Sequence, residues 1–238
     1  MMKPGTEWLD GIRWTEQIGG THDKRHRLVS RPLSGKSVSI LGGGPGMTMA
    51  HAAKLMNFPT ICVNNSYMLM DRPTVVVALD RRWWAWHGGS VYARGDTAVT
   101  SLRPNQVPPQ GFSGASMSKE RTGVYDTDPT VLCGQNSGHA AIHLAMHLGA
   151  STIYLVGFDM GFPDGKTHWH GGHQVPSSES NYVRRFRPAL EKLCQHADEH
   201  KTASIEAITS TSADIKTTDF KVAIERLTAD HDNCVDNA

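Results

Sequence analysis

The chain has little of what would assign it at a glance. Its four cysteines, Cys62, Cys133, Cys194 and Cys234, are scattered through 238 residues. No two stand in CxxC spacing, which excludes the usual zinc knuckle and dithiol motifs. Cys62 and Cys133 lie in apolar runs and read as small buried hydrophobes, so a reducing cytoplasm is the simplest compartment. Net charge is nearly absent: 24 Lys and Arg against 23 Asp and Glu leave +1, which does not indicate broad electrostatic capture of nucleic acid. The basic runs "HDKRHR" and "YVRRFR" read as solvated faces. No segment approaches the roughly 20 apolar residues of a membrane span. The N-terminal "MMKPGTEWLDGIRW" lacks the apolar stretch of a signal peptide, and no internal repeat is visible.

What is present is a series of short apolar runs separated by helical patterns. "SVSIL", "TICVNN", "TVVVALD", "TVLCG", "STIYLVGFD" and "ASIEAIT" read as strands. The segment after Met47, "NSGHAAIHLAMHLG", "SESNYVRRFRPALEKLCQHADEH" and "TTDFKVAIERL" read as helices, the third bent at Pro188. Alternation of this kind predicts an α/β fold: a Rossmann-like parallel sheet flanked by helices. One domain over 1–238 is expected, with residues 1–35 as an N-terminal arm. Gly, Pro, Ser and Thr make 88–129 read as an irregular insertion, and 160–180 as a His-rich, lid-like loop. The tail "DHDNCVDNA" is expected to fray.

Parallel sheets of this type bind ligands at the carboxyl ends of their strands. Gly42, Gly43, Gly44, Pro45 and Gly46 follow the first such strand and open a helix. A glycine turn there lets backbone approach a phosphate, and the helix N-terminus adds free N–H groups. A branched side chain at Gly44 is expected to block that approach while sparing the fold. It is not the dinucleotide fingerprint, because Met47 holds the last glycine position. Asn64 and Asn65 end the second strand; amides read a base edge or ribose without charge. Asp80 ends the third and precedes "RRWWAWH", whose Trp83 and Trp84 read as packing on the sheet. Asn136, Ser137 and Gly138 open a helix, either capping it or presenting N–H groups to an anion. His139, His143 and His147 fall on one face of that helix and read as solvated or half-buried. Asp159 ends the next strand, and His168, His170 and His173 follow among glycines. Their spacing fits no common metal motif. A histidine is the usual general base near neutral pH, and a glycine-rich loop can close over a ligand.

The ordered set strand–"GGGPG"–helix, "VNN", "GQNSG", "LGASTIYLVGFDM" and a histidine loop resembles the small bacterial sialyltransferases and the related 6-hydroxymethylpterin pyrophosphokinase-like proteins. It is most similar to uncharacterised phage and prophage proteins of that type, which would place it in a host cell's cytoplasm. The resemblance implies a nucleotide-binding transferase, a glycosyltransferase that uses a nucleotide-sugar donor. Gly42 to Gly46 and Asn64 would hold the nucleotide, and Ser137-Gly138 would match the family's "SG" turn. His173, or else His168, would be the general base, with no metal or other cofactor required. The alternatives are an ATP-dependent pyrophosphokinase-like enzyme, with Mg2+ at Asp80 and Asp159, and a non-catalytic phage nucleotide-binding protein. The acceptor is left open among a glycan, a small molecule, a protein and a modified DNA base, and a homo-oligomer is compatible with these features.

Overall fold

The uninterrupted apolar runs pair side by side as one parallel sheet. The structure, a computed structural model, describes residues 7–19, 23–72, 74–120, 125, 127–171 and 178–235. After a 3-10 turn at Glu7–Gly11 come strands β1 (Trp14–Gly19), β2 (Asp23–Leu28) and β3 (Ser37–Leu41). Helix α1 (Met49–Leu55), β4 (Thr60–Val63), a 3-10 helix at Asn64–Leu69, β5 (Val75–Val77) and α2 (Arg81–Ala93) follow. Then come β6 (Thr97–Leu102), β7 (Ala115–Glu120), β8 (Val131–Cys133), α3 (Ser137–His147) and β9 (Thr152–Val156). The chain ends with α4 (Glu179–Asn181), α5 (Arg187–Glu199), β10 (Ser204–Ala207) and α6 (Phe220–Val235).

The eight-stranded sheet runs in the order β10-β9-β3-β4-β5-β6-β7-β8, every pair parallel. From β3 the chain builds outward through β8, then returns across the sheet to lay β9 on the other side of β3. The strand order therefore reverses between β3 and β9, the place where an open α/β sheet forms a crevice. Alternate strand residues enter opposite cores. Val38, Ile40, Ile61, Val63, Val75 and Val77 join the core under α3 and α5. Leu41, Cys62 and Val76 join the core under α1, α2 and α6. Each fully buried Leu, Ile or Val contributes about 1.5–3 kcal/mol.

Several expectations need correcting. The N-terminal arm carries an antiparallel β1–β2 hairpin, with Trp14 opposite Leu28. Trp8, Leu28 and Leu33 anchor this region in the core, and Leu28 N–H donates to the Pro129 carbonyl at 3.1 Å. The segment 88–129 is not an irregular insertion: α2 runs on to Ala93, and β6 and β7 are full members of the sheet. Their hydroxyl-bearing and small residues hid them, yet Thr100, Ser101 and Ser116 are buried. Of the tail expected to fray, Asp230 to Val235 continue α6, and residues 236–238 lie outside the described residues.

The largest difference concerns α3. Every residue from Ser137 to His147 is buried, including His139, His143 and His147. The apparent polar face is satisfied internally at two of its three histidines. His143 Nδ1 accepts the Cys133 N–H at 2.8 Å, and His147 Nε2–H donates to the Val131 carbonyl at 3.0 Å. Both bonds fasten the central helix to the edge strand β8. The bend expected at Pro188 is a π turn over Tyr182–Phe186, in which Arg187 N–H bonds to the Tyr182 carbonyl. Proline lacks the N–H that would continue a regular helix. The wider turn keeps Tyr182 and Phe186 on one face, their rings 5.3 Å apart edge to face.

Candidate functional site at the strand ends

The carboxyl ends of β3, β4, β5, β7, β8 and β9 surround one cavity of about 380 Å³. Gly42, Gly43 and Gly44 come to it from β3; Asn64 and Asn65 from β4; Asp80 from β5. Asn136, Ser137 and Gly138 reach it from the start of α3, and Asp159 and His168 from the segment after β9. The sheet thus gathers residues far apart in sequence. Pro45 and Gly46 belong to the same turn but do not line the cavity, and His173 lies outside the described residues.

The glycine turn is built differently from a phosphate cradle. Gly42 N–H donates to the Val156 carbonyl at 2.7 Å, and Gly44 N–H to the Gly157 carbonyl at 2.8 Å. Gly46 N–H donates to Asp159 Oδ1 at 2.9 Å. A Cβ at Gly44 would stand 2.0 Å from Asp159 Oδ2 and 2.6 Å from the Gly157 carbonyl oxygen. The turn is glycine-rich so that the ends of β3 and β9 can touch and admit a carboxylate. The expectation that a larger residue at Gly44 spares the fold is therefore corrected: the space is occupied by the protein itself.

Asp159 is 5% exposed, and its Oδ2, closed to solvent, has no hydrogen-bond partner among the described residues. Burial pushes its carboxyl above the usual value, against the lowering effect of the Gly46 N–H. The backbone around it is fixed from several sides. Gly157 N–H donates to Thr209 Oγ1, Thr211 Oγ1 to the Phe158 carbonyl, and Ser212 N–H to the Asp159 carbonyl. Met160 follows at φ 52°, a left-handed conformation costly for a long side chain. The Arg187 guanidinium holds the Met160 carbonyl at 2.9 Å. Asn64 is also left-handed, at φ 50°, which suits asparagine better. Asn65 Oδ1 accepts the Trp83 indole N–H at 2.6 Å, and Trp83 and Trp84 are buried as expected.

The start of α3 has the opposite character. Asn136 is its N-cap and accepts the His139 N–H at 3.0 Å. Ser137 Oγ accepts the Leu79 N–H at 3.1 Å, tying α3 to the end of β5. The Ser137 and Gly138 N–H groups have no partner among the described residues. The Phe158 ring covers Gly138, where a Cβ would stand 2.8 Å from it. Asp80 caps α2 and pairs with exposed Arg82 at 3.1 Å. His168 Nδ1 lies 2.9 Å from Thr167 Oγ1, and Trp169 N–H donates to the Gly43 carbonyl at 3.1 Å. These contacts pin the described part of the histidine loop to the glycine turn, beside His170 and Tyr182 in the cavity wall.

Lys119, at the end of β7, is the functional candidate that sequence reading missed. It is the one Lys or Arg among the described residues lining the cavity. The signal was available: once "ASMSKE" is seen as a strand, the strand-end rule places Lys119 at the ligand edge. Among the described residues no cluster of three or more metal-ligating side chains is present, and no described helix is long and apolar enough to cross a membrane. No family model, curated protein or solved structure matches the chain.

Proposed function

We propose that this cavity binds a nucleotide donor and that the protein is a nucleotide-dependent transferase of the glycosyltransferase type. The observation that carries this reading is the convergence, at the sheet's switch point, of an amide pair, open helix N–H groups, a buried carboxylate and histidine. Asn64 and Asn65 would read the base or ribose. His168 would act as general base: the tautomer in which Nδ1–H donates to Thr167 Oγ1 makes Nε2 the basic nitrogen. It would take the acceptor's hydroxyl proton as the acceptor oxygen bonds to the sugar's anomeric carbon. The carbon–oxygen bond to phosphate breaks, and the nucleotide leaves with that electron pair.

The magnesium-dependent pyrophosphokinase reading has less support. Asp80 pairs with Arg82 and caps α2, Asp159 spends one carboxylate oxygen on Gly46 N–H, and neither belongs to a cluster of three or more metal-ligating side chains among the described residues. The reading is tested by screening nucleoside mono- and diphosphates for a rise in melting temperature, since a specific ligand stabilises by mass action. At least one is expected to raise it, and none doing so rejects the reading. With that donor's sugar conjugate, His168→Ala should lower donor hydrolysis by about 10²–10⁴-fold and keep the thermal shift. Binding without turnover in the parent would assign a non-catalytic nucleotide-binding role.

A further inference from the structure

The amide of Asn65 is not free to choose which of its atoms it turns to a ligand. Its Oδ1 accepts the Trp83 indole N–H at 2.6 Å. An indole nitrogen can only donate, so the atom facing it must be the amide oxygen, and the nitrogen is left over. Trp83 is itself held by three rings. It stacks on His87 with centroids 4.7 Å apart and planes 19° apart, and meets Trp84 at 4.9 Å and Tyr67 at 5.9 Å edge to face. Tyr67 Oη lies 3.3 Å from His87 Nδ1, which ties two of those rings to each other. Trp83 is buried, whereas Asn65 lines the cavity and is half-buried. Among the described residues no hydrogen bond uses its Nδ2, and that atom is not closed to solvent. The cavity therefore presents, at the end of β4, an amide N–H2 of fixed sense.

We propose that Trp83 orients the Asn65 amide, and that Asn65 thereby selects a nucleobase with a carbonyl at that position over one with an exocyclic amine. This rests on the nucleotide reading above and deepens it: the nucleotide carries a keto base, uracil- or guanine-like, in preference to cytosine or adenine. A carbonyl oxygen accepts from the N–H2. An exocyclic amine in its place sets one N–H against another and gives up its bonds to water without replacement. A site that hydrogen-bonds its ligand rejects a mismatched group more strongly than an apolar pocket does. Trp83 does not line the cavity, so it is a positioning residue, and Asn65 makes the contact.

The test is calorimetry with two pairs of ligands, uridine against cytidine diphosphate and guanosine against adenosine diphosphate, on the parent and three variants. In whichever pair binds more tightly, the keto member should bind the parent at least about 10-fold better than the amino member, the cost of one unmatched polar group. Asn65→Asp still accepts from Trp83 but puts an acceptor where Nδ2 stands, so it should reverse that preference. Its charge repels both diphosphates of a pair alike, and the ratio of affinities reports the base alone. Trp83→Phe keeps a ring in the aromatic nest and removes the N–H; the preference should shrink toward parity, because the amide can turn over. Asn65→Ala, which leaves Trp83 in place, should do the same by weakening the keto member. Equal affinities within that pair in the parent, a tighter amino member, or a preference unchanged by Asn65→Asp or by Trp83→Phe overturns the proposal while the nucleotide reading stands. A parent that binds none of the four removes both.

Discussion

Two glycine-containing turns meet at the same cavity, and they exchange the roles that their sequences suggest. The turn Gly42–Gly46 has the look of a phosphate cradle, but three of its amides are used within the protein and Asp159 fills the space beside Gly44. The turn Gly134–Gly138 looks like an ordinary helix cap, and Asn136 does cap α3, but the next two N–H groups stay open on the cavity wall. Glycine at a strand end permits close approach; it does not say what approaches. In the first turn the neighbours are Asp159 and the Gly157 carbonyl; in the second it is the Phe158 ring, which also covers Gly42, with the amides left over.

The sharpest way to break this comparison is Gly44→Ala. A Cβ there would overlap both a carboxylate oxygen and a backbone carbonyl, and the second cannot rotate away. A stability loss of about 3 kcal/mol is expected, at the upper end for overpacking, read as a lower urea midpoint at unchanged slope. Adding Asp159→Ala should recover part of it, because the two sites are in contact and couple. A loss below about 1 kcal/mol would show that the turn is not packed around the carboxylate.

The strands β3, β4, β5 and β9 were legible because each is an apolar run buried on both faces, and the strand-end rule then found most of the cavity wall. Other features were hidden for separate physical reasons. β6 and β7 carry Thr and Ser whose hydroxyls find partners inside, as Thr100 does on the Ala78 carbonyl at 2.8 Å, so composition alone made them look like loop. In the hairpin, β2 carries a basic stretch that matches no apolar period. Three histidines four apart on α3 suggested water, whereas β8 supplies the donor and acceptor that let His143 and His147 be buried. The occupant of the glycine turn comes from 113 residues away, and no local pattern encodes a pairing at that distance.

The two turns also respond oppositely to acid. His139, third residue of α3, is 1% exposed, and among the described residues no hydrogen bond of ordinary geometry reaches either ring nitrogen. Burial drives its pKa down to about 4, with the Phe186 backbone opposing only in part. A histidine lowered from 6.5 contributes stability that is full above that value and is lost as pH falls toward 4, because the unfolded chain binds the proton first. At pH 5.5, one unit below 6.5, the loss is about 1.4 kcal/mol. Asp159 has the reverse sign: a carboxyl raised by burial destabilises the fold once ionised, so it gains stability as pH falls through its raised value. His139→Leu should flatten the fall in urea midpoint between pH 7.5 and 5.5, whereas Asp159→Asn should steepen any acid loss below that. Identical pH profiles for the parent and His139→Leu would show that the helix start is hydrated.

The smallest effect separates capping from ligand binding at the second turn. Asn136→Ala removes the acceptor of the His139 N–H and should cost about 1 kcal/mol, the usual worth of an N-cap. Asn136→Asp keeps the acceptor and adds negative charge at the positive end of the helix, so stability should hold or rise slightly. Ligand binding divides the same pair the other way. A carboxylate beside the Ser137 and Gly138 amides repels a phosphate, so Asn136→Asp should weaken nucleoside monophosphate binding more than Asn136→Ala does. If the aspartate variant is both more stable and an equally good binder, the open amides of α3 are not where the anion sits.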